Sequence, residues 1–410
     1  MSTRVTAVFC IAILSANMSA FGGNETCNYE APRNTLVRPN KTVRLGAYFY
    51  AGKLDISWYA RNFDLLDLNA KNDPETVSKL KQLNPEILVY QQFLTNQMAI
   101  QQSGAQAVEG YDSAKMNNWL LRSTNELVAR SHRGPYYLMM DIAGTQGWAT
   151  HFATYTATVL QKTGADGIVL DEVPLFKNEP FTQIVAYPTP ERLQDGTRTF
   201  LRSIRAILAR PVLINVGQLH KVRADGTPLW TWLGNEIDGA WHEGWIRYYG
   251  AHNQPHSGTD WEWDIRSAEE FSAKGKPYIA SAAFRNIGEL EYGIANYLLA
   301  IHGKSMVFQP MLEYHPETRG GFNAELVKQV VEKYQALFDL EMGCALGPRQ
   351  FRDGVWQRFF SKGLVLVNPE PTETIFRGGA TKYQDAFGTA VKLPLRLPAF
   401  GARVLLKQTN

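Results

Sequence analysis

The sequence contains few cysteines, no long apolar run beyond its first residues and no block of one charge. Its 410 residues include three cysteines; none lies in a CxxC pair, and no nearby histidine suggests a thiol nucleophile. Beyond residue 22 no apolar run approaches the roughly 20 residues that span a bilayer, so we expect no membrane insertion. The net charge is +3, and both signs are mixed along the chain, which argues against nucleic acid or an anionic membrane surface as a partner.

Residues 1–22 have the pattern of a secretory signal peptide. Arg4 is the only charge before the apolar run Val5–Leu14, and small residues follow up to Gly22. We therefore expect cleavage near Gly22 and a secreted or periplasmic protein, with a retained N-terminal anchor as the alternative. Cys10 would be removed with the signal peptide. The other two cysteines, Cys27 and Cys344, could form one disulfide in an oxidising compartment or stay as free thiols.

Short apolar, β-branched runs alternate with longer amphipathic segments through the middle of the chain. The predicted strands are Val43–Phe49, Phe63–Leu68, Glu86–Gln92, Asp166–Asp171, Pro211–Val216, Ile237–Glu243, Pro277–Phe284 and Ser305–Met311. The predicted helices are Asp73–Gln82, Trp148–Lys162, Pro190–Ala209, Ile287–His302 and Phe322–Leu340. Eight such units favour a closed (β/α)8 barrel over an open doubly wound sheet. Residues 137–140 could be a further strand, which would change the count by one.

The sequence pattern changes near residue 346. Short strand-like segments separated by turn residues follow, at Val355–Phe360, Gly363–Val367, Gly388–Leu393 and Ala402–Leu406. We therefore predict three parts: a signal peptide at 1–22, a barrel catalytic domain at 23–345 and a small antiparallel β-domain at 346–410.

The stretch GADGIVLDEV, residues 164–173, carries a predicted strand that ends on two adjacent acids. Strands of a parallel barrel are buried on both faces, and active sites are built at their carboxyl ends. Asp171 is therefore expected at the barrel mouth. An acid in that position is solvated, paired or held for chemistry; capping of the next helix is the structural alternative.

A second predicted strand also ends on an acid, Glu243, which has Trp241, His242 and Trp245 as its neighbours in sequence. Aromatic faces bind sugars, and a carboxyl group packed among indole rings has its ionised form disfavoured, as a general acid requires. The two tryptophans could equally be core residues. The second histidine of HExxH is missing, so a zinc-protease helix is not indicated.

The two acids lie on the fourth and sixth predicted strands, two steps of ~4.8 Å apart around the barrel. Side chains that lean inward would bring the carboxyl groups to about 5–9 Å, which covers the spacing of both retaining and inverting glycosidases. The spacing thus predicts a carboxyl pair across a glycosidic bond without deciding the stereochemistry.

The block Leu138–Gly144 with Trp148, followed by a helix and by Ala165–Asp171, resembles the pattern of glycosyl-hydrolase-like TIM barrels, which are distantly similar to α-galactosidase, α-amylase and polygalactosaminidase barrels. The specific part of the resemblance is DGxxxD at residues 166–171. The resemblance implies that Asp171 is the nucleophile and Glu243 the general acid/base of a retaining mechanism. It also implies that Asp141 binds substrate, unless that residue caps the helix near Trp148.

Further polar side chains are expected at the mouth, because phenol and amide groups suit hydroxyl recognition; Tyr48, Asn215 and Gln309 are among them. A structural hydrogen-bonding role is the alternative for each. The sequence as a whole indicates a glycoside hydrolase that acts on a poly- or oligosaccharide and needs no cofactor. A non-catalytic carbohydrate-binding barrel is the main alternative, and a hydrolase with a metal at Asp171, His242 and Glu243 is the second. The sugar, the anomer, endo or exo action and the oligomeric state are left open.

Overall fold

A computed structural model of the chain describes residues 41–49, 52–68, 73–99, 119–122, 137–142, 146–175, 184, 186–215, 222–247, 254–312 and 322–408. The predicted signal peptide at 1–22 and Cys27 lie outside these residues. Cys344 is disulfide-bonded, which excludes a free thiol at that position. Within the described ranges, no helix has both the length and the apolar character needed to cross a bilayer.

Eight parallel strands form one sheet in the order β1-β2-β3-β6-β7-β8-β9-β10. Their bounds are β1 Gly46–Phe49, β2 Leu65–Leu68, β3 Leu88–Leu94, β6 Gly167–Asp171, β7 Val212–Asn215, β8 Gly239–Glu243, β9 Tyr278–Phe284 and β10 Met306–Leu312. A parallel bridge between Leu45 and Phe308 joins the first strand to the last, where the Phe308 N–H donates to the Arg44 carbonyl at 2.8 Å. The predicted (β/α)8 barrel is confirmed, with each strand at its predicted place.

The possible strand at residues 137–140 exists outside the barrel. The strand β5, Tyr137–Met139, pairs antiparallel with β4, Gln97–Ala99. The count of eight barrel strands is therefore unchanged.

Helices cover the outside of the barrel: α1 Ile56–Asn62, α2 Pro74–Leu83, α3 Gln146–Thr163, α4 Pro190–Ile207, α5 Leu229–Leu233, α6 Gly258–Ala273, α7 Ile287–Ala300, α8 Ala324–Lys333 and α9 Gln335–Phe338. Five of them begin after a residue whose side chain accepts a backbone N–H of the first turn, which satisfies a donor that the helix leaves open: Asp55, Asp73, Thr189, Asn286 and Asn323.

The long helix α6 was not predicted. Trp261, Ile265 and Ala268 supply a buried apolar face at helical spacing. The equally buried Asp264 interrupts that face, which hides the period in the sequence.

Strand side chains alternate between the barrel interior and the layer beneath the helices. The interior apolar residues form one cluster, which includes Tyr48, Leu65, Tyr90, Val169, Leu213, Trp241, Ile279 and Val307. The residues between them on each strand pack in the larger core under the helices. This alternation decides which side chains at the strand ends can face one another.

The C-terminal strands form a six-stranded sheet in the order β11-β12-β13-β18-β15-β16 and a two-stranded sheet of β14 and β17. Their bounds are β11 Gln350–Arg352, β12 Val355–Phe360, β13 Gly363–Asn368, β14 Thr374–Phe376, β15 Tyr383–Gln384, β16 Ala390–Val391, β17 Leu395–Leu397 and β18 Gly401–Lys407. All these pairings are antiparallel, so the predicted C-terminal β-structure is confirmed. The boundary at 345/346 stays a prediction.

Candidate active site

The side-chain amide of Asn215 lies between the carboxyl groups of Asp171 and Glu243. Its Nδ2 donates to Asp171 Oδ1 at 3.0 Å and to Glu243 Oε2 at 2.8 Å. The three residues end β6, β7 and β8, which are neighbours in the sheet. Because both oxygens bind one nitrogen at these distances, they are no more than about 6 Å apart.

Strand register explains why these residues meet. Leu170 pairs with Ile214, and Asn215 pairs with Trp241, so Glu243 lies two residues beyond the partner of Asn215. In a barrel the tilted strands are staggered, which brings a residue further along one strand level with its neighbour.

Asp171 is held firmly at the end of β6. Its side chain also accepts the Glu172 N–H at 2.8 Å, and its carbonyl accepts from Thr95 through both N–H, at 2.9 Å, and Oγ1, at 2.7 Å. Glu172 has φ of 55°, which is uncommon for a residue other than glycine. With 8% of its surface exposed, Asp171 is fixed in position and only narrowly open to solvent.

The two acid-bearing strands share a sequence pattern that the sequence analysis did not recognise. Each has Asp-Gly at its start and three residues between that glycine and its acid, as DGIVLD at 166–171 and DGAWHE at 238–243. The leading aspartates are structural: Asp166 accepts the Val89 N–H at 2.7 Å, and Asp238 accepts the Val212 N–H at 2.9 Å.

The glycines of that pattern are required by close packing. A Cβ on Gly167 would come within 2.4 Å of the Pro211 carbonyl oxygen, and one on Gly239 within 2.4 Å of the Pro277 carbonyl oxygen, contacts that real side chains do not make. The repeated pattern therefore marks two strands built alike, with one acid each at the mouth.

Tyr48, Trp241 and Gln309 lie inside the barrel and are almost fully buried. Trp241 Nε1 donates to Ser281 Oγ at 2.6 Å, and Ser281 Oγ donates to Gln309 Oε1 at 2.8 Å. The Tyr48 ring centroid lies 5.0 Å from that of Trp241. These residues share the interior with the carboxyl pair, and their contact with substrate stays a prediction.

Asp67 is a third carboxyl group inside the barrel, and the sequence analysis missed it. It pairs with Tyr90, which pairs with Gly167 at the start of β6, so it lies deeper than Asp171. It is fully buried, and in the described part of the chain neither carboxyl oxygen has a hydrogen-bond partner. Burial, and after it the charge of Asp171, raises the pKa of Asp67 well above its usual 3.8, which favours the neutral acid. A lone acid within the apolar run of β2 was the available signal.

His242 and Trp245 do not join the carboxyl pair, which corrects their predicted placement. His242 faces the helices, where it is fully buried with Nδ1 2.7 Å from Tyr278 Oη. Trp245 is also fully buried and donates Nε1 to the Asp264 carbonyl at 3.0 Å. His242 is separated from Glu243 because successive residues of a strand face opposite ways, and Trp245 lies beyond the end of β8, after the turn at Gly244.

Asp141 follows β5 and not a strand of the barrel sheet. Its carboxylate accepts a hydrogen bond from the Tyr187 hydroxyl, and its N–H donates to the Trp119 carbonyl at 2.7 Å. Its predicted contact with substrate stays a prediction.

The metal alternative is not supported by the geometry. His242 lies on the opposite face of β8 from Glu243, so the donor set Asp171, His242 and Glu243 does not converge. Among the described residues, no group of three or more His, Cys, Asp or Glu side chains is arranged to hold a metal ion.

Comparison with known proteins gives a family match and several similar folds. The sequence profile described as "Hypothetical glycosyl hydrolase family 15" matches residues 81–364. The glycoside hydrolase domain of PelA from Pseudomonas aeruginosa is 17% identical with a TM-score of 0.45, over 68% of this chain and 98% of that one. A maltogenic α-amylase, AmyB from Thermotoga neapolitana, is 10% identical with a TM-score of 0.48, over 89% and 99% of the two chains. An α-galactosidase from Lactobacillus brevis is 11% identical with a TM-score of 0.47, over 93% and 56%. The search of curated proteins found no match.

Proposed function

Because the chain belongs to hypothetical glycosyl hydrolase family 15, we propose that Asp171 and Glu243 are the carboxylate pair of a retaining glycoside hydrolase. The chain is a glycoside hydrolase by its family; the proposal adds the reacting groups, the stereochemistry, the location and the kind of substrate.

The observation that carries the proposal is the shared Asn215 amide. Retaining enzymes hold their two carboxyl groups ~5–5.5 Å apart, whereas inverting enzymes hold them ~6.5–9.5 Å apart to admit a water molecule. The limit of about 6 Å between Asp171 Oδ1 and Glu243 Oε2 agrees with the retaining geometry.

The proposed reaction has two steps. In the first, Asp171 attacks the anomeric carbon while Glu243 gives its proton to the glycosidic oxygen, so that the C–O bond breaks and a glycosyl ester of Asp171 forms. In the second, Glu243 takes a proton from water, the water oxygen attacks the anomeric carbon, and Asp171 leaves as a carboxylate. Two inversions at one carbon give net retention.

Asn215 supports both steps by orienting the pair. One amide group donates to both acids, so neither carboxyl group can turn away without losing a hydrogen bond. Positioning of reacting groups in this way supplies a large part of enzymatic rate enhancement.

We further propose that the enzyme is secreted or periplasmic and acts on a poly- or oligosaccharide. The signal-peptide pattern of residues 1–22 supports export. The disulfide of Cys344 agrees with it, because disulfides persist mainly in oxidising compartments.

The experiment is a polysaccharide and aryl-glycoside panel, followed by NMR of the first-formed product of any substrate that is cleaved. Retention of the anomeric configuration is expected, and inversion would rule out the two-step mechanism. Asp171→Asn and Glu243→Gln are expected to abolish release of reducing ends while carbohydrate binding persists. If the wild-type protein binds glycans from the panel and releases no reducing ends, the non-catalytic alternative is favoured.

A further inference from the structure

We propose that Asp264 is a positioning residue that keeps Glu243 in place by holding the strained turn that follows β8. The inference rests on the proposed catalytic role of Glu243 and adds a residue that lies 21 positions further along the chain, on the helix behind the strand.

The turn after Glu243 has an unusual backbone. Gly244 has φ of 79° and Ile246 has φ of 55°. Glycine adopts such values freely, but a β-branched residue with positive φ is an outlier that persists only where its surroundings enforce it. The Trp245 N–H returns to the His242 carbonyl at 3.3 Å, so the bend begins immediately after the acid.

Asp264 holds the backbone of this turn through hydrogen bonds. Its Oδ2 accepts the Ile246 N–H at 3.1 Å, and its backbone carbonyl accepts Trp245 Nε1 at 3.0 Å. Two consecutive residues of the turn are therefore fastened to one fully buried residue of α6.

His256 contacts both Asp264 and Ile246. Its Nδ1 lies 2.5 Å from Asp264 Oδ2, and its backbone N–H donates to the Ile246 carbonyl at 2.8 Å. His242 Nε2 lies 3.6 Å from Asp264 Oδ1. A buried carboxylate needs such partners. Asp264 and His256 together bind both the N–H and the carbonyl of Ile246, the residue in the left-handed conformation.

This arrangement lies on the helix side of β8, opposite the amide of Asn215. Asn215 thus holds the Glu243 side chain from the barrel interior. On the helix side, Asp264 holds the turn after Glu243 through Ile246. Without Asp264, Ile246 is free to return to an ordinary φ, and the end of β8 moves with it.

The test compares Asp264→Leu with Asp264→Asn. Leucine removes the acceptor, so kcat measured per folded molecule should fall by about 100-fold, the scale of a displacement near 1 Å, with a smaller change in KM. Asparagine keeps an acceptor oxygen for Ile246 and should restore most of that loss. Asp64→Leu is the matched control, since Asp64 is a buried acid that accepts the Leu45 N–H at 2.9 Å at the other end of the barrel. It should lower the melting temperature and leave kcat unchanged.

Crystal structures of the variants give a readout that needs no substrate. Asp264→Leu should show Ile246 outside the left-handed region and a broken Asn215–Glu243 hydrogen bond. An unchanged φ with that bond intact overturns the inference, even if the wild type cleaves no glycoside in the panel. If Asp264→Leu does not fold, His256→Ala removes the imidazole that holds Asp264 Oδ2, at a partly exposed site, and keeps the backbone N–H bound to Ile246. A lower kcat supports the inference and an unchanged kcat overturns it.

Discussion

Asp67 and Asp171 lie in the same barrel interior on strands separated by β3 alone. Asp67 is the deeper of the two, and its neutral form is favoured by burial and by the charge of Asp171. The barrel therefore holds, beneath the proposed nucleophile, an acid whose raised pKa favours its neutral form, and this arrangement has consequences for stability.

Replacement of Asp67 with asparagine should stabilise the protein increasingly as pH rises. A buried acid with a raised pKa contributes stability that is fully present below its unfolded pKa and is lost as pH rises through the folded value. Asparagine has nearly the same shape and no proton to lose. Denaturant unfolding at pH 4 and pH 7 should show a larger advantage for Asp67→Asn at pH 7.

The matched variant is Asp64→Asn. Asp64 pairs with Arg44 at 3.0 Å, so its substitution should destabilise the protein at pH 7. Equal effects of the two substitutions at pH 7 would contradict the raised pKa of Asp67.

Replacement of Asn215 with alanine should lower kcat by about 100-fold, since the amide orients both acids. KM should change less, because the loss falls on the transition state. Asn84→Ala is the control: Asn84 is a buried asparagine whose Nδ2 donates to the Ala60 carbonyl at 3.0 Å, far from the pair in sequence and on another element. If both variants lose stability and neither loses kcat, Asn215 has no part in catalysis.

His256 and His302 should titrate in opposite directions from the usual histidine value of 6.5. Burial lowers the pKa of His256, but the hydrogen bond and charge of Asp264 outweigh it and the net pKa is raised. Burial, followed by the charge of Arg358, lowers the pKa of His302. Protonated His256 thus adds stability that is complete below pH 6.5 and is lost as pH rises through its raised pKa.

Proton NMR of the imidazoles, assigned with single His→Gln variants, checks both directions. In Asp264→Asn the titration of His256 should move towards lower pH, and that of His302 should stay where it is. A His256 that titrates below 6.5 in the wild type would refute the charged contact with Asp264.

The barrel was predictable because its strands are buried on both faces and therefore leave continuous apolar runs in the sequence. Asp171, Asn215 and Glu243 followed from the same reasoning, since active sites occupy the carboxyl ends of such strands. The contact between them did not, because it depends on the stagger of tilted strands, which no local pattern records.

The residues whose placement the sequence did not predict were missed for specific physical reasons. His242 and Trp245 were taken as companions of Glu243, although the two-residue period of a strand places His242 on the opposite face. Asp67 and Asp264 are polar residues within apolar patterns, and the groups that bind Asp264, the Ile246 N–H and the His256 imidazole, lie outside its own helix. The Asp-Gly pair at the start of both β6 and β8 can be recognised in the sequence. It would have linked Glu243 to Asp171 without counting strands.

The central claim is that Asp171 attacks the anomeric carbon, and trapping of the glycosyl-enzyme tests it most directly. A fluorinated glycoside matched to a substrate from the panel is incubated with the enzyme, and the labelled peptide is located by mass spectrometry. The account predicts one label, on the peptide that carries GADGIVLDEV, and none in Asp171→Asn. A label on Glu243 or on any other peptide would contradict it.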